Sequence, residues 1–400
     1  MKYEFSKNMD ALQSSAVREI LKLTQGGPII SFAGGLPAEE FFPIAAMKEA
    51  FGRLFANGKK QLQYGLTDGY IPLREWLIER MKQKNIHVHL ENTILTTGSQ
   101  QVIDLLCRTY TDPGDVILVE NPTYLAALQL FRAQGVNVVA VDGDDDGMDL
   151  GDLMQKIAKY QPKMVYVVPT FANPTGKVWS LERRLGLLQA CRANDVLILE
   201  DDPYSEFRFE DDVIYPSIFS LDQHPGGSAV VYTSTFSKTV APAVRTGWAL
   251  ADAAIIEAMV RMKQAVDLQS SSLDQQALWE LFTRFDLDEH ILLIREEYKK
   301  RKELMHQLLS QQGWKDVRWN EPKGGMFLWM ELPEEVDSEQ LLRVSVTEGV
   351  AFVPGAQFYA GEPKRNTLRL NFTHTDQEGT ILGIERFARA YHTYFAQSVR

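Results

Sequence analysis

Short apolar runs alternate with amphipathic segments from about residue 61 to residue 254. The runs are rich in valine and isoleucine and are punctuated by Gly, Pro, Asn and Asp; they are TILTTG, DVILVE, VNVVAV, MVYVVP, DVLILED and SAVVYTSTFS. Runs of this kind are typical of buried parallel strands. The segments LREWLIERMKQK and SLERRLGLLQACRAN have the apolar spacing of amphipathic helices. The pattern therefore predicts an α/β domain with a largely parallel sheet.

The pattern changes after about Val266. A long helical stretch, LDEHILLIREEYKKRKELMHQLLSQQG, precedes the strand signals GGMFLWMEL, VAFVPG and NTLRLNF and a last helix, ILGIERFARAYHTYF. This order predicts a smaller α+β domain that is attached through a long helix. We expect residues 1–50 to form an N-terminal segment and part of the small domain, 51–290 the large domain, and 291–400 the rest of the small domain.

Composition and charge exclude several classes of protein. Of the 400 residues, 45% are hydrophobic and 24% are charged, as in ordinary globular proteins, and the net charge of -11 disfavours nucleic-acid binding. Cys107 and Cys191 lie in apolar helix-like stretches without metal-ligand or disulfide spacing, so we expect two buried structural thiols and no metal site. No signal-peptide region and no apolar run of ~20 residues is evident, which predicts a cytoplasmic protein that does not contact a membrane.

Chemically useful residues follow several of the predicted strands. Gly98 ends TILTTG, MVYVVP leads to Asn173 within NPTG, Asp201 ends DVLILED, and Lys238 follows SAVVYTSTFS. Ligands of open α/β sheets bind at the carboxyl ends of the strands. We therefore expect these residues to lie together at one edge of the sheet.

The strand-to-helix turn that begins at Gly98 has the features of a phosphate site. Its free N–H groups and the positive end of the helix dipole attract anions, although helix capping explains the same residues equally well. Thr235, Ser237 and Arg245 could add hydroxyl donors and a guanidinium. Neither GxxxxGK[ST] nor GxGxxG after a strand is present, so the phosphate is not obviously that of a nucleotide cofactor.

Lys238 and Asp201 complete a recognisable set of residues. The three acids of EDDPY could be solvated loop charges, or Asp201 could keep a pyridine nitrogen protonated. Tyr204 and Asn173 could donate hydrogen bonds to an oxygen on the same ring. A lysine that forms a Schiff base, an acid for a pyridinium and a phosphate cup together describe a pyridoxal-phosphate site.

The chain resembles the fold-type I pyridoxal-phosphate aminotransferases of class I/II, especially the 2-aminoadipate and kynurenine aminotransferase-like branch. The motifs that carry the resemblance occur in order along nearly the whole chain; they are ISFAGGLPAEEFFP, LQYGLTDGYIPLRE, TTGSQQVIDLL, NPTYLAALQLF, NPTG, EDDPY, TFSKTVAPAVRTGW, PKGGMFLWMEL, VAFVPG and NTLRLNF. The resemblance implies an aspartate aminotransferase-like fold. Its large domain holds a mostly parallel seven-stranded sheet between helices, and its smaller domain is α+β.

The resemblance also implies a role for each cofactor residue. Lys238 is the covalent anchor of pyridoxal 5'-phosphate and the proton carrier, and Asp201 pairs with the pyridinium nitrogen. Tyr204 and Asn173 bind the ring oxygen, and Tyr124 stacks on the ring face. The residues that hold the phosphate are Gly98, Ser99, Gln100, Thr235, Ser237 and Arg245. The sequence departs from the family pattern at Ala172, where glutamine is common, and at Thr235, where serine is common; both changes look tolerable.

The resemblance further implies substrate-binding and partner-facing residues. Arg369 takes the substrate α-carboxylate, a bidentate contact that lysine could not copy, and Gly35 lies beside the substrate. Arg18, in a segment resembling the one that closes over the substrate, is a candidate ligand for a side-chain carboxylate. Tyr64 reaches the phosphate bound in the partner subunit of a homodimer, helped by the segment LQSSSLDQQ.

Simpler interpretations of these residues remain open on sequence alone. Tyr64 and Tyr124 could be ordinary core or interface aromatics. Arg369 could be an exposed strand charge, Arg18 a solvated helix residue, and Asn173 part of a turn. Their joint occurrence around Lys238 favours the functional interpretation.

The predicted reaction is transfer of an amino group from an L-amino acid (2-aminoadipate, aromatic or aliphatic) to a 2-oxo acid such as 2-oxoglutarate. The first alternative is a pyridoxal-phosphate β-lyase or racemase on the same scaffold. The second is a ligand-sensing domain of the kind found in some bacterial regulators. Those regulators carry an N-terminal winged-helix domain, whereas the aminotransferase-like pattern starts here near Ser14.

Overall fold

The computed structural model describes residues 3–6, 9, 29–222, 224 and 226–398. Numbered along the chain, the strands are β1 (Ile30–Ser31), β2 (Thr93–Thr96), β3 (Val116–Glu120), β4 (Asn137–Val141), β5 (Gly143–Asp144), β6 (Gly147–Met148), β7 (Met164–Val167), β8 (Leu197–Asp201), β9 (Val230–Thr235), β10 (Gly247–Leu250), β11 (Arg318–Trp319), β12 (Phe327–Glu331), β13 (Val350–Ala351), β14 (Val353–Pro354) and β15 (Thr367–Asn371).

The helices cover most of the chain between these strands. The α-helices span Ile44–Ala56, Ile71–Lys82, Ser99–Tyr110, Leu125–Ala133, Leu150–Tyr160, Leu181–Ala193, Ile218–Leu221, Ala253–Val266, Ser272–Phe282, Leu287–Ser310, Ser338–Thr347 and Gln377–Ser398. Short 3-10 helices span Glu39–Phe41, Lys59–Leu62, Leu90–Asn92, Ser205–Phe207, Pro242–Val244 and Gly355–Phe358.

A seven-stranded sheet with the order β2-β10-β9-β8-β7-β3-β4 forms the centre of the larger layered unit. All neighbouring strands are parallel except at β10, which runs antiparallel to both β2 and β9. The six apolar runs of the sequence form β2, β3, β4, β7, β8 and β9, so the prediction of a mostly parallel sheet is confirmed. The seventh strand, β10, is the short run GWAL, which the apolar pattern did not single out.

The core lies on both faces of this sheet. In β3, Ile117 and Val119 pack into one apolar cluster, whereas Leu118, between them, packs into the cluster on the opposite face. Because successive side chains of a strand alternate between faces, a strand covered on both faces needs apolar residues at every position. This explains why the runs read as continuous valine, isoleucine and leucine.

The smaller α+β part is a four-stranded antiparallel sheet with the order β11-β12-β15-β14, with the helices Ser338–Thr347 and Gln377–Ser398 packed nearby. The N-terminal strand β1 pairs in parallel with β13, which ties residues near position 30 to this part of the molecule. The helix Leu287–Ser310 runs unbroken past residues 290 and 291, where the two domains were expected to meet. The OH of Tyr298 on this helix accepts a hydrogen bond from Ala38 N, 3.1 Å away.

Both cysteines are buried free thiols, as predicted. Burial raises the pKa of Cys191 to about 12, so its thiol stays protonated at neutral pH. In the described part of the chain, no helix has a stretch long and apolar enough to cross a membrane.

Candidate active site

The carboxyl ends of neighbouring parallel strands bring the predicted site residues to one edge of the sheet. β8 ends at Asp201, which pairs in register with Thr233 of β9. β9 continues two residues further to Thr235, and Lys238 lies in the turn of residues 236–240 that follows directly. The NPTG loop leaves the adjacent strand β7. Strand order therefore places the lysine, the acid and the asparagine next to one another.

The three acids of EDDPY are all buried, each with its own partners. Glu200 accepts hydrogen bonds from the backbone N–H groups of Ile218 and Phe219, both at 2.9 Å. Asp202 accepts a hydrogen bond from the OH of Tyr232 at 2.8 Å. The interpretation of these acids as solvated loop charges is wrong, because the strand end lies inside the protein.

Asp201 has one carboxylate oxygen in use and one free. Its Oδ2 accepts a hydrogen bond from the OH of Tyr166 at 2.8 Å, and its buried Oδ1 has no partner among the described residues. Burial raises the pKa of Asp201 to about 7, the hydrogen bond from Tyr166 opposes the rise, and the neighbouring Asp202 adds to it. A cationic N–H at Oδ1 would supply the missing partner and favour the ionised carboxylate. The site therefore fits a protonated pyridine ring.

Lys238 is half-buried, and its Nζ donates a hydrogen bond to the carbonyl oxygen of Gly35 at 2.7 Å. Burial lowers the pKa of Lys238 to about 8, helped by the positive charges of Arg369 and Arg245. A surface lysine stays protonated up to a pH of about 10. Lys238 therefore has a sizeable neutral fraction near pH 8, which is the form that attacks a carbonyl carbon.

The predicted phosphate residues, here called the phosphate cup (Gly98, Ser99, Gln100, Thr235, Ser237 and Arg245), lie where β2 and β9 end. Arg245 donates from Nη1 to Ser237 Oγ at 3.4 Å and from Nη2 to the carbonyl oxygen of Thr97 at 3.3 Å. The hydroxyl oxygens of Thr235 and Ser237 are 2.9 Å apart. Two buried hydroxyl groups and a guanidinium therefore lie close together.

The turn at Gly98 depends on the absence of a side chain. Gly98 has φ 74°, and a Cβ there would lie 2.6 Å from Nη2 of Arg245. Gly98 is the N-cap of the helix Ser99–Tyr110 and has no side chain with which to cap the first-turn N–H groups. The N–H of Gln101 donates to the carbonyl oxygen of Gly98 at 3.1 Å, whereas those of Ser99 and Gln100 have no protein acceptor among the described residues and can bind an anionic ligand. The side chain of Gln100 is exposed, so its contribution here is its backbone N–H.

Arg369 is a buried cation that no acid of the described chain neutralises. It is 2% exposed, and it donates from Nη1 to Asn173 Oδ1 at 2.7 Å and from Nη2 to the carbonyl oxygen of Ala33 at 2.6 Å. Its Nε lacks an acceptor within the described residues. Burial lowers its pKa to about 10, so it is still charged at neutral pH. A buried guanidinium without an acid partner is the group expected to bind a carboxylate ligand.

The interpretation of Arg369 as an exposed strand charge is wrong. Its guanidinium lies 4.2 Å from the ring centroid of Phe327 and 5.2 Å from that of Phe358. Cation–π contacts of this kind fix the plane of the guanidinium. Hydrogen bonds at the edge of the Arg369 guanidinium and ring contacts on its faces therefore hold the side chain in place.

The remaining predicted residues divide into three groups. Tyr204 is buried with its ring edge-on to Phe327, at a centroid distance of 5.6 Å, and Tyr124 is half-buried just before the helix Leu125–Ala133. Tyr64 is 77% exposed. Arg18 lies outside the described residues.

Sequence reasoning missed Tyr166 and the two phenylalanines that pack on Arg369. Tyr166 is the one polar side chain in the buried run MVYVV, and a buried hydroxyl must find a hydrogen-bond partner. That signal pointed to a nearby acceptor, although not to Asp201. The phenylalanines lie in ordinary apolar strings, which carry no such signal.

Replacing Tyr166 by phenylalanine should destabilise the cofactor-free protein more at pH 8.5 than at pH 5.5. The folded-state pKa of Asp201 is about 7, above its ordinary value of 3.8, so the folded protein carries the ionised carboxylate mainly above pH 7. Removing the donor from that carboxylate should cost about 1–3 kcal/mol of unfolding free energy, and less once the carboxyl is protonated. Urea denaturation at both pH values measures the difference, and equal losses would contradict it.

The chain matches the family described as aminotransferase class I and II over residues 29–382. It is 39% identical to the 2-aminoadipate transaminase of Thermus thermophilus, with 96% of each chain covered. It is also 39% identical to aromatic-amino-acid aminotransferase 1 of Thermococcus litoralis, covering 96% of this chain and 93% of that one. Among solved structures, α-aminoadipate aminotransferase LysN of Thermus thermophilus, complexed with N-(5'-phosphopyridoxyl)-L-leucine, superposes with a TM-score of 0.92 at 37% identity and 98% coverage of both chains.

Proposed function

The chain belongs to the class I and II aminotransferases, and we propose that it uses the site described above to move an amino group from an L-amino acid to a 2-oxo acid such as 2-oxoglutarate. The cofactor is pyridoxal 5'-phosphate. The donors are 2-aminoadipate, aromatic or aliphatic amino acids, in line with the relatives named above. The observation that carries the proposal is the buried Oδ1 of Asp201, which has no hydrogen-bond partner among the described residues and lies at the strand end next to Lys238.

The relatives favour transamination over the alternatives. A β-lyase or racemase would use the same cofactor residues, but both relatives with 39% identity are named as transaminases. The same relatives disfavour a non-catalytic ligand-sensing domain. The proposal includes a cytoplasmic location, where amino acids and 2-oxo acids are both available.

Pyridoxal phosphate, when bound, supplies an aldehyde and an electron-withdrawing ring. Asp201 would keep the ring nitrogen protonated through Oδ1, and Tyr204 and Asn173 would bind the ring oxygen. The phosphate cup would hold the phosphate through the N–H groups of the first helical turn, two hydroxyls and Arg245. Tyr124 would stack on the ring face.

Arg369 and Lys238 would handle the substrate. The free Nε–H of Arg369 offers a donor to the α-carboxylate, and the planar guanidinium orients that group. Lys238 would then take the α proton on its neutral Nζ and deliver it to the former aldehyde carbon of the cofactor within the same half-reaction, which leaves Nζ neutral again; the reverse half-reaction would move a proton in the opposite direction. Gly35 lies beside Lys238, and its carbonyl oxygen accepts the hydrogen bond from Nζ. We retain Arg18 as the proposed ligand for an acidic side chain.

The visible absorption spectrum of the purified protein tests this function directly. After incubation with pyridoxal phosphate and removal of the unbound excess, the protein should keep a yellow band, which should fade when a suitable amino acid is supplied, as pyridoxamine phosphate forms. Adding 2-oxoglutarate should then restore the band and yield glutamate. A protein that stays colourless would refute the proposal, and release of pyruvate and ammonia from a suitable amino acid would favour a lyase.

Lys238 should bond to pyridoxal phosphate at a rate that rises with pH and levels off above about 8. Only the neutral amine attacks the aldehyde, and burial together with Arg369 and Arg245 lowers the pKa of Lys238 from 10.5 to about 8. Stopped-flow absorbance between pH 6 and 10 measures this rate in cofactor-free protein. A rate that still increases steeply at pH 10 would contradict the lowered pKa. Lys238→Arg should show no such reaction.

We propose a homodimer in which Tyr64 reaches the phosphate bound to the partner subunit. Tyr64 is exposed on a surface that also exposes Leu62, Leu66 and Leu268, and exposed apolar patches of this kind commonly mark protein interfaces. The neighbouring Gly65 N–H donates a hydrogen bond to the side chain of Gln269, so this loop and the segment LQSSSLDQQ form one surface.

Mixing Lys238→Ala subunits with Tyr64→Ala subunits should restore activity that neither variant has at limiting cofactor. Tyr64→Ala should weaken cofactor binding about tenfold, because a hydrogen bond to a charged group contributes about 1.5–3 kcal/mol. In a mixed dimer, one site combines an intact Lys238 with an intact Tyr64 from the other subunit. If Tyr64 served its own subunit, no mixed dimer would contain an intact site, and mixing would restore nothing.

A further inference from the structure

A fully buried lysine that the proposed mechanism does not use lies next to the phosphate cup. Lys263, in the last turn of the helix Ala253–Val266, is 0% exposed. Its ammonium donates to Gln101 Oε1 at 2.8 Å, to Ser270 Oγ at 2.9 Å, and to the two carboxylate oxygens of Asp267 at 2.8 and 3.0 Å. Lysine is rarely buried to this extent unless its charge is paired, as it is here.

The hydrogen bonds of Lys263 reach both ends of the glycine turn in the phosphate cup. Gln101 Oε1, which accepts from Lys263, also accepts from the backbone N–H of Thr97 at 2.8 Å. Ser270 Oγ lies 2.8 Å from Thr97 Oγ1. The carbonyl oxygen of Thr97 in turn accepts from Arg245. One ammonium therefore connects the residue before the turn, the residue after it and the guanidinium of the cup.

We propose that Lys263 is a positioning residue for recognition of the cofactor phosphate. It holds Thr97 and Gln101 together, and so fixes the direction of the N–H groups in the turn between them. Gly98, at positive φ and without a side chain, cannot fix that direction itself. Because Asp267 neutralises Lys263, the effect is one of geometry rather than of added positive charge. The inference rests on the proposed function, since it presupposes a phosphate in the cup.

The test compares two ligands that differ only in the phosphate. Lys263→Met should weaken the binding of pyridoxal phosphate to the cofactor-free protein about tenfold, by analogy with the outer-shell partners of metal ligands. Its affinity for pyridoxal, which bonds to Lys238 but lacks the phosphate, should stay within about twofold of wild type. Methionine is unbranched and fills a similar volume, and Asp267 is 30% exposed and can be hydrated, so the variant should fold. Spectroscopic titration gives all four dissociation constants.

The control is Lys156→Met, which removes a lysine from another i,i+4 pair, Asp152–Lys156, on the helix Leu150–Tyr160. It should leave both affinities unchanged. Equal weakening of both ligands by Lys263→Met, or no weakening, would overturn the inference by reducing Lys263 to a structural anchor. If Lys263→Met does not fold, Ser270→Ala replaces it in the same test and should weaken the binding of pyridoxal phosphate more than that of pyridoxal. An unchanged ratio of these two affinities would overturn the inference. Wild-type protein that binds neither ligand would instead refute the proposed function itself.

Discussion

Replacing Lys238 by alanine should lower the rate of amino-group transfer by roughly 10⁴-fold, the upper range for loss of a general acid–base group. Alanine offers neither an amine to bond to the cofactor nor a nitrogen to carry the α proton. Lys238 suits both tasks because its pKa is about 8, so neither protonation state is rare near neutral pH. Single-turnover measurements with 2-aminoadipate and with an aromatic amino acid would report the loss.

Two further variants separate this chemistry from loss of a positive charge. Lys238→Arg keeps the cation but cannot form a Schiff base, so it should be as inactive as the alanine variant. Lys156→Ala removes a half-buried lysine in an ion pair on the helix Leu150–Tyr160 and should transfer amino groups at the wild-type rate. Wild-type transamination by Lys238→Ala would disprove the assignment of the lysine.

Replacing Asp201 by asparagine should lower the transfer rate by roughly 10³-fold, the size of losing one preorganised electrostatic partner. Asparagine cannot carry the negative charge that keeps a pyridine nitrogen protonated, although it can still accept a hydrogen bond from Tyr166. The bound ring would then withdraw electron density less strongly, and the α proton would be lost more slowly. Rates of the first half-reaction, followed by absorbance at saturating cofactor, measure the effect.

The neighbouring acid supplies a closely matched control. Asp202 is 4% exposed against 3% for Asp201, and it accepts hydrogen bonds from the OH of Tyr232 and the N–H of Ser205. Asp202→Asn should therefore cost about 1–2 kcal/mol of unfolding free energy and leave most of the activity. If both variants slowed transfer equally, the special role of Asp201 would be disproved and a general effect of buried charge would remain.

The parallel strands were predictable because burial on both faces makes each run continuously apolar. The predicted helix over SLERRLGLLQACRAN likewise matches the observed helix Leu181–Ala193 within a residue or two. The strand β10 could not be predicted in the same way, since its four residues follow the polar loop that contains Lys238 and Arg245. Its place between β2 and β9 is set by pairing with both strands, at Thr96 and Thr235 opposite Gly247. Such long-range pairing leaves no periodic signal in a short run.

The burial of charged residues in the site could not be predicted from the sequence pattern either. The alternation in NTLRLNF predicts one apolar and one polar face, and it leaves open whether the polar face meets water. In the structure every residue of β15 is buried, and Arg369 on the polar face bonds to Asn173, 196 positions away in the sequence. A period of two reports which residues share a face, but not what covers that face.

By itself, the sequence determined the α/β architecture, the order of the motifs and the residue types available for chemistry, because these depend on local periodicity and on strings of neighbouring residues. Only the tertiary structure decided that, among the described residues, Asp201 keeps one oxygen without a partner, Arg369 has no acid partner, and Lys263 donates to Gln101 beside the predicted phosphate cup. These properties depend on burial and on contacts between distant segments. Burial and neighbouring charges shift a pKa, and neither is a property of a short stretch of chain.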